Sequence, residues 1–146
     1  MGTANALKIS EAASLALHSM TYLAASGADK PVSARDLAET FDVSAAHLSK
    51  VLNRLASARL LKSTRGAKGG FVLARKSGDV TLGEIYELFD GPLAPSDCLF
   101  ETPVCKGKKC IFGALLGAVN KSVAEYLFTT KLSDLTEVYR RAGAGS

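Results

Sequence analysis

Three cysteines lie in one short stretch of the sequence and are the residues best equipped for chemistry: Cys98, Cys105 and Cys110. Six residues separate the first pair and four separate the second, and three lysines crowd the last two thiols. Nearby cations favour the thiolate, and soft thiolate ligands select iron–sulfur clusters, zinc or copper(I). An odd number of cysteines does not suit a disulfide framework. We therefore interpret the trio as a metal site, with three incidental thiols as the alternative.

A fourth ligand is not evident from the sequence around these cysteines. Structural zinc sites normally have four protein ligands, so a site with three favours a reactive, sensing centre. The position one turn after Cys110 holds Gly113, which cannot coordinate a metal. The exposed face of the first predicted helix offers His18 and Glu11, and His18 is the candidate fourth ligand. The alternative is a histidine that only forms a hydrogen bond or faces solvent.

Three amphipathic segments precede the cysteines and predict a helix-turn-helix. Ser10 to Ala25 has apolar residues at helical spacing. Ser33 can cap a second, short helix, and Ser44 can cap a third that ends near Arg59. A tight link joins the last two helices, and the third has an apolar stripe opposite a basic face. Two short helices joined in this way are typical of DNA-binding proteins.

A β-hairpin is predicted directly after the third helix. Leu60 to Thr64 and Phe71 to Ala74 have strand character, and a basic, glycine-rich turn at Arg65 to Gly70 joins them. A hairpin in this position is a wing, whose glycines permit a close approach to a phosphate. The expected fold class is mainly α with a small β-hairpin wing, that is, a winged helix-turn-helix.

Charge is segregated along the chain, which has a formal net charge of +4. Residues 44–76 contain eight Lys or Arg and no acid, whereas residues 77–97 contain five acids and no Lys or Arg. Such segregation leaves one basic surface, as expected for a protein that binds a polyanion. Lys50 and Arg54 are expected to hold phosphates, which position a protein without reading sequence. There are two alternatives to a DNA-binding surface. One is a basic face that only contacts solvent, and the other is a helical hairpin and β-hairpin that bind another protein. The candidate DNA-binding residues on the helices and wing are Ser33, Ser44, Ala46, His47, Ser49, Lys50, Arg54, Arg65, Lys68 and Gly69.

The segments after the wing predict a short helix, a loop and a long helix. A capping box opens a helix from Thr81 through Phe89, and residues 92–109 have loop character. A helix from Cys110 to about Phe128 carries an apolar stripe broader than one small domain needs. A last helix, capped by Ser133, is expected from Asp134 to about Arg141.

The composition argues against several classes of protein. Hydrophobic residues make up 47% of the 146 residues, enough for a real core. No apolar run approaches the roughly 20 residues that span a bilayer. The first residues lack a signal-peptide pattern, so a cytoplasmic protein without a membrane partner is expected. An enzyme is not expected, because His18 and His47 lie on separate helices with no nucleophile–base signature around either.

Taken together, these residues resemble the Rrf-type (IscR/NsrR-like) family of winged helix-turn-helix transcription regulators. The resemblance runs from about Leu7 to Leu135, nearly the whole chain. Its marks are Lys8-Ile-Ser10, the helix end Leu55–Leu61, the wing Arg65–Phe71, the helix Thr81–Gly91 and the three cysteines before a long helix.

The resemblance implies a homodimer in which the long helix crosses its partner, and contacts of Lys8 and Ser10 with the backbone of double-stranded DNA. It also implies an iron–sulfur cluster, 2Fe–2S or 4Fe–4S, whose state changes the affinity for a promoter operator. We accordingly divide the chain into a winged domain (1–91), a cysteine-containing sensor loop (92–110) and a dimerisation helix with a C-terminal helix (111–141). The signal would be redox state, nitric oxide or cluster status. A metal-free thiol regulator and a zinc-containing protein-interaction adaptor are the alternatives.

The chain departs from the family pattern at the positions of metal ligands. The family usually spaces its cysteines evenly, whereas six and four residues separate them here. Gly113 stands where some members have a ligating histidine, and Ser14 stands where others have an acidic residue from the partner's first helix. A histidine on the first helix of a related redox sensor matches His18. The fourth ligand and the cluster type therefore stay open.

Overall fold

The structure is a computed structural model, and it describes residues 7–93, 98–100, 102, 104–105 and 109–140. The α-helices in these ranges are α1 (Glu11–Ser26), α2 (Ala34–Phe41), α3 (Ala45–Ser57), α4 (Leu82–Asp90) and α5 (Leu115–Thr129). The strands are β1 (Leu61–Thr64) and β2 (Gly70–Leu73), and two 3₁₀ helices span Ser77–Asp79 and Leu132–Tyr139. The expected fold class, mainly α with a small β-hairpin, is confirmed.

Serine residues begin the first three helices, as the sequence predicts. The Ser10 hydroxyl accepts from the Ala13 amide at 3.0 Å. Ser33 and Ser44 cap α2 and α3 in the same way, each accepting from the amide three residues later. Each cap pairs an amide that the helix itself leaves without a partner. These local hydrogen bonds set where the helix-turn-helix begins.

The core of the winged part lies between α1, α2 and α3. Its largest fully buried side chains there are Met20, Leu37, Leu48, Leu52 and Leu55. Burying a leucine or methionine stabilises the fold by roughly 1.5–3 kcal/mol. The tight turn between α2 and α3 passes through Asp42, whose φ of 52° is in the left-handed region that Asp tolerates. Because one face of α3 is buried in this core, the opposite face of the helix is exposed to solvent.

The wing is anchored to the start of α2 as well as to α3. β1 pairs antiparallel with β2, with Leu61 opposite Leu73 and Thr64 opposite Gly70. Val32 exchanges two backbone hydrogen bonds with Phe71, at 3.1 and 2.8 Å. A side chain at Gly70 would collide with the Val32 backbone, so this crossing needs glycine. The outer edge of β2 is therefore held close to the turn of the hairpin, and the basic residues of the turn are exposed.

The long helix begins later than the sequence predicts. α5 starts at Leu115, whereas the expectation was Cys110, and residues 111–114 form a turn instead. Gly113 has a φ of 58°, a left-handed conformation that interrupts a helix, and its amide donates to the Cys110 carbonyl. Cys110 therefore belongs to the turn before the helix.

The last helical segment also differs from its prediction. A 3₁₀ helix spans Leu132–Tyr139, where an α-helix capped by Ser133 was expected. Lys131 precedes it, and the Asp134 carboxylate accepts from the Lys131 amide at 2.9 Å. Buried Leu132 pairs its amide with the Val80 carbonyl, which ties this segment to the residues before α4. The hydrogen bond between Leu132 and Val80 therefore decides where this 3₁₀ helix begins.

Much of the apolar surface of α5 is exposed. Leu127 is buried and Phe128 packs on Gly83 of α4, where even a Cβ atom would overlap the Phe128 ring. Leu115 is 55% exposed and Tyr126 is 57% exposed. None of the helices in the described ranges is long and apolar enough to cross a membrane.

Candidate functional site

The first two turns of α3 present an exposed polar surface, as expected for a recognition helix. Ala46, His47 and Lys50 are exposed, and Ser49 is half-buried. Leu48 and Val51 point into the core and fix which face is outward. Beside this surface lies a groove of about 420 Å³, lined by Ala12, Ala46, His47, Lys50, Val51, Arg54 and Phe89.

Arg54 has contacts that the sequence did not predict. Its Nη2 donates to the Leu88 carbonyl at 2.6 Å. Its guanidinium carbon also lies 4.8 Å from the centre of the Phe89 ring, a cation–π contact. Both partners belong to the last turn of α4. The phosphate contact expected of Arg54 remains a prediction, and the structure gives this side chain a second role.

The tip of the wing carries exposed cations on a backbone that only glycine allows. Arg65 and Lys68 are both exposed. A Cβ at Gly69 would overlap the Thr64 carbonyl oxygen, and Gly66 has a φ of 113°. The Thr64 hydroxyl accepts from the Gly70 amide at 3.1 Å and closes the hairpin. The tip can therefore approach an anion closely, as the sequence indicated.

The residues that precede α1 rest on α4. The Ser10 amide donates to the Asp90 carboxylate at 3.0 Å, and the Tyr86 hydroxyl donates to the Lys8 carbonyl at 3.5 Å. Burial, and secondly the charge of Asp90, raise the pKa of Tyr86, so the hydroxyl stays a donor. The Ser10 hydroxyl is used by its helix cap, whereas the Lys8 side chain is exposed. The family resemblance implied that Lys8 and Ser10 contact DNA, which stays a prediction. The α4 partners were missed, because the sequence predicted α4 without indicating its neighbours.

The cysteines are not gathered into a ligand set within the described residues. Cys98 and Cys110 are half-buried, Cys105 is exposed, and none of the three forms a disulfide in the described structure. A search of the described residues finds no group of three His, Cys, Asp or Glu side chains close enough to hold a metal ion. Cys98 Sγ accepts from the Phe100 amide at 3.5 Å. Of the three lysines expected to crowd the last two thiols, Lys109 is exposed, whereas Lys106 and Lys108 lie outside the described residues.

His18 lies on α1 in an aromatic cluster. Its Nδ1 donates to the Ser14 carbonyl at 2.6 Å, and its ring packs edge-on against Phe41 with centroids 6.2 Å apart. Tyr22 and Tyr139 complete the cluster. Burial raises the pKa of Tyr139. The described structure does not bring His18 together with the cysteines.

Known proteins that are similar to the chain share its fold and sequence. The family profile described as "Rrf2: Iron-dependent Transcriptional regulator" matches residues 9–138. The transcriptional regulator CymR of Bacillus subtilis is 32% identical over 129 residues, which are 88% of this chain and 89% of CymR.

Two solved structures resemble the chain over most of its length. The structure of CymR, the global cysteine regulator of B. subtilis, has a TM-score of 0.76 at 31% identity and covers 92% of this chain and 99% of its own. T. potens IscR has a TM-score of 0.70 at 27% identity and covers 97% of this chain and 94% of its own. The chain therefore belongs to the Rrf2 family of DNA-binding transcriptional regulators and not to a family of enzymes.

Proposed function

We propose that the protein is a homodimeric regulator whose affinity for promoter DNA is set by an iron–sulfur cluster bound to Cys98, Cys105 and Cys110. The observation that carries this proposal is the position of the cysteines, between α4 of the winged domain and α5 with its exposed apolar face. A change in this segment can alter how two winged domains are spaced. The protein would act in the cytoplasm, on an operator of double-stranded DNA.

The donor set suits an iron–sulfur cluster in its chemistry. Three thiols occur in one segment, at least one of them exposed, and thiolates are the ligands that hold such clusters. The family profile carries the description "iron-dependent". Cluster binding would fix the three cysteines relative to one another. A difference in free energy between the bound and empty forms of this segment is what a sensor requires.

His18 stays the candidate for a fourth ligand. Its Nδ1 is used by the Ser14 carbonyl, which leaves Nε2 as the ring nitrogen that can bind a metal. Ligating histidines commonly donate their other ring nitrogen to a backbone carbonyl in this way. In a dimer, the ligand would come from the partner's α1.

The proposed dimer uses the exposed apolar face of α5. This face includes Leu115 and Tyr126. Beside it lies a groove of about 580 Å³, lined mainly by apolar side chains of α5, α4 and the segment before α1. Apolar surface of this extent on one helix marks an interface. We expect Leu115→Glu to yield a monomer in analytical ultracentrifugation. Lys121→Glu, an exposed charge change on the same helix, is the control and should stay dimeric.

The cluster proposal is tested by purification without oxygen. The expected result is a visible absorption spectrum with iron and sulfide bound, lost when Cys98, Cys105 or Cys110 is replaced by serine. The DNA probe is a duplex selected from a random-sequence library by repeated binding. Loaded and apo protein should differ in affinity for this duplex by about tenfold, a coupling of ~1.4 kcal/mol. Equal affinity of the two forms would contradict the proposal, and His18→Ala tests the fourth ligand.

A metal-free thiol regulator is the second candidate. It is favoured by the similarity to CymR, the global cysteine regulator of B. subtilis. Anaerobic protein that is colourless and contains no iron, but forms reversible disulfides that change DNA affinity, would favour this candidate over the cluster.

A further inference from the structure

The last turn of α4 contacts both elements that are expected to touch DNA. From the recognition helix, Arg54 donates to the Leu88 carbonyl at 2.6 Å and lies over the Phe89 ring. From the segment before α1, the Ser10 amide donates to the Asp90 carboxylate at 3.0 Å. One turn of one helix therefore fixes the distance between two parts of the predicted DNA-binding surface.

The same turn leads into the cysteine segment. α4 ends at Asp90, and the cap residue Gly91 has a φ of 81° and donates its amide to the Glu87 carbonyl. The Leu93 amide then donates to the Glu87 carboxylate at 3.1 Å. Cys98 follows five residues later. The last turn of α4 is therefore the last described helical turn before Cys98 in the sequence.

Arg54 and Lys50 lie one helical turn apart on α3 but differ in their contacts. The guanidinium of Arg54 is held by the Leu88 carbonyl and the Phe89 ring, which both belong to α4. Both residues are exposed, but Lys50 has no hydrogen bond or ion pair with another described residue. A cation that is already held by its own protein suits positioning, whereas one that is not held suits a phosphate.

We propose that Arg54 is a positioning residue that couples the cysteine segment to the recognition helix through the last turn of α4, and that Lys50 rather than Arg54 neutralises a DNA phosphate. The coupling rests on the function proposed above. The division of roles between the two cations needs only that the protein binds DNA.

The division of roles is tested by the salt dependence of DNA binding. Each phosphate that the protein neutralises adds about 0.9 to the slope of log affinity against log salt concentration. The full-length, reduced protein is titrated with the selected duplex at several salt concentrations. Lys50→Met should lower the slope by about 0.9 for each DNA phosphate that the lysine neutralises. Arg54→Met should lower the affinity and leave the slope unchanged, and a lower slope for Arg54→Met would overturn the proposal.

The coupling is tested by modifying the cysteines. All three cysteines of the chain lie in the segment, so alkylation with iodoacetamide changes the protein there alone among its thiols. In wild type, alkylation should change DNA affinity by roughly fivefold or more, as for a typical coupled site. In Arg54→Met the change should fall below about twofold, whereas Lys50→Met should keep it.

Phe89→Leu keeps the charges of α3 and removes only the ring beneath the guanidinium. It should weaken the response to alkylation without altering the salt slope, and circular dichroism checks that each variant is folded. A full response in both Arg54→Met and Phe89→Leu would overturn the coupling. If alkylation leaves the DNA affinity of wild type unchanged, the coupling to the cysteine segment is wrong. The salt slopes then still decide whether Arg54 neutralises a phosphate.

Discussion

The winged domain and the segment from Cys98 to α5 differ in how fully their side chains find partners within one chain. In the winged domain, Leu48, Leu52 and Leu55 of α3 are fully buried. In the second region, Ile111 is 86% exposed and Leu115 is 55% exposed. The first region encloses its apolar side chains within the single chain. The second leaves large apolar side chains exposed, and this is the surface that the proposed dimer would cover.

We relate the packed region to the stability of the fold and the exposed region to its regulation. A packed core resists change, because every side chain in it depends on its neighbours. A segment with few buried contacts can adopt a second conformation at small cost. We infer that the winged domain supplies a fixed DNA-binding shape, and that the cysteine segment and α5 change how two such shapes are presented.

The largest expected effect compares a leucine from each region. Leu52→Ala should lower the free energy of unfolding by about 2–5 kcal/mol, because it leaves a cavity in the core of the winged domain. Leu115→Ala, the matched control, should change it by less than about 0.5 kcal/mol. Urea unfolding at low protein concentration measures both, so that association does not contribute. Equal losses would mean that Leu115 is as enclosed as Leu52.

A second substitution tests the junction between the two regions. Gly83→Ala should destabilise the protein by about 1–3 kcal/mol, because the new Cβ overlaps the Phe128 ring and forces α5 away from α4. At Gly78 the nearest atom to a new Cβ is Ser133 Oγ at 3.7 Å, an ordinary contact, so Gly78→Ala is the control. Adding Phe128→Leu to Gly83→Ala should recover part of the loss in thermal unfolding. No recovery would show that the two helices are not held by this contact.

A smaller effect is expected at the start of the recognition helix. Ser44→Ala removes the hydroxyl that accepts from the His47 amide and should cost about 1 kcal/mol in urea unfolding. Ser57→Ala, at the other end of α3, is the control and should be close to neutral. A neutral Ser44→Ala would mean that tertiary packing alone holds the first turn of α3.

The smallest effect concerns alkaline pH. Burial raises the pKa of Tyr139 above its ordinary value of 10.0, so the folded state prefers the neutral phenol. This contribution to stability is fully present below pH 10.0 and is lost as the pH rises through the folded pKa. Tyr139→Phe should therefore lose less stability than wild type as the pH rises beyond 10.0. Parallel unfolding curves for the two proteins across that range would contradict this role of the phenol.

Sequence reasoning was most successful where a structural feature depends on a few adjacent residues. The caps at Ser10, Ser33, Ser44 and Thr81 all lie where they were predicted. It was wrong about the start of α5 and about the last helix. The apolar stripe assigned to α5 continued through a turn in which Gly113 is left-handed. For the last helix Ser133 was chosen as the cap, whereas the pairing of Leu132 with Val80 makes the segment begin earlier.

The candidate site shows the same division. Its exposed residues on α3 and the wing were identified from charge and helical phase alone. The contacts of Arg54 with Leu88 and Phe89 join residues more than thirty positions apart, and no local pattern predicts them. The grouping of the cysteines likewise depends on how the chain around them folds.

The order of residues alone determined the helix caps, the buried stripe of α3, the basic surface and the cysteine trio, because each arises from interactions within a few positions along the chain. The tertiary structure alone decided which helices touch, that Arg54 is held by α4, and that the apolar face of α5 stays exposed in the single chain. Those outcomes depend on the sum of many contacts between distant segments. No single stretch of sequence contains that sum.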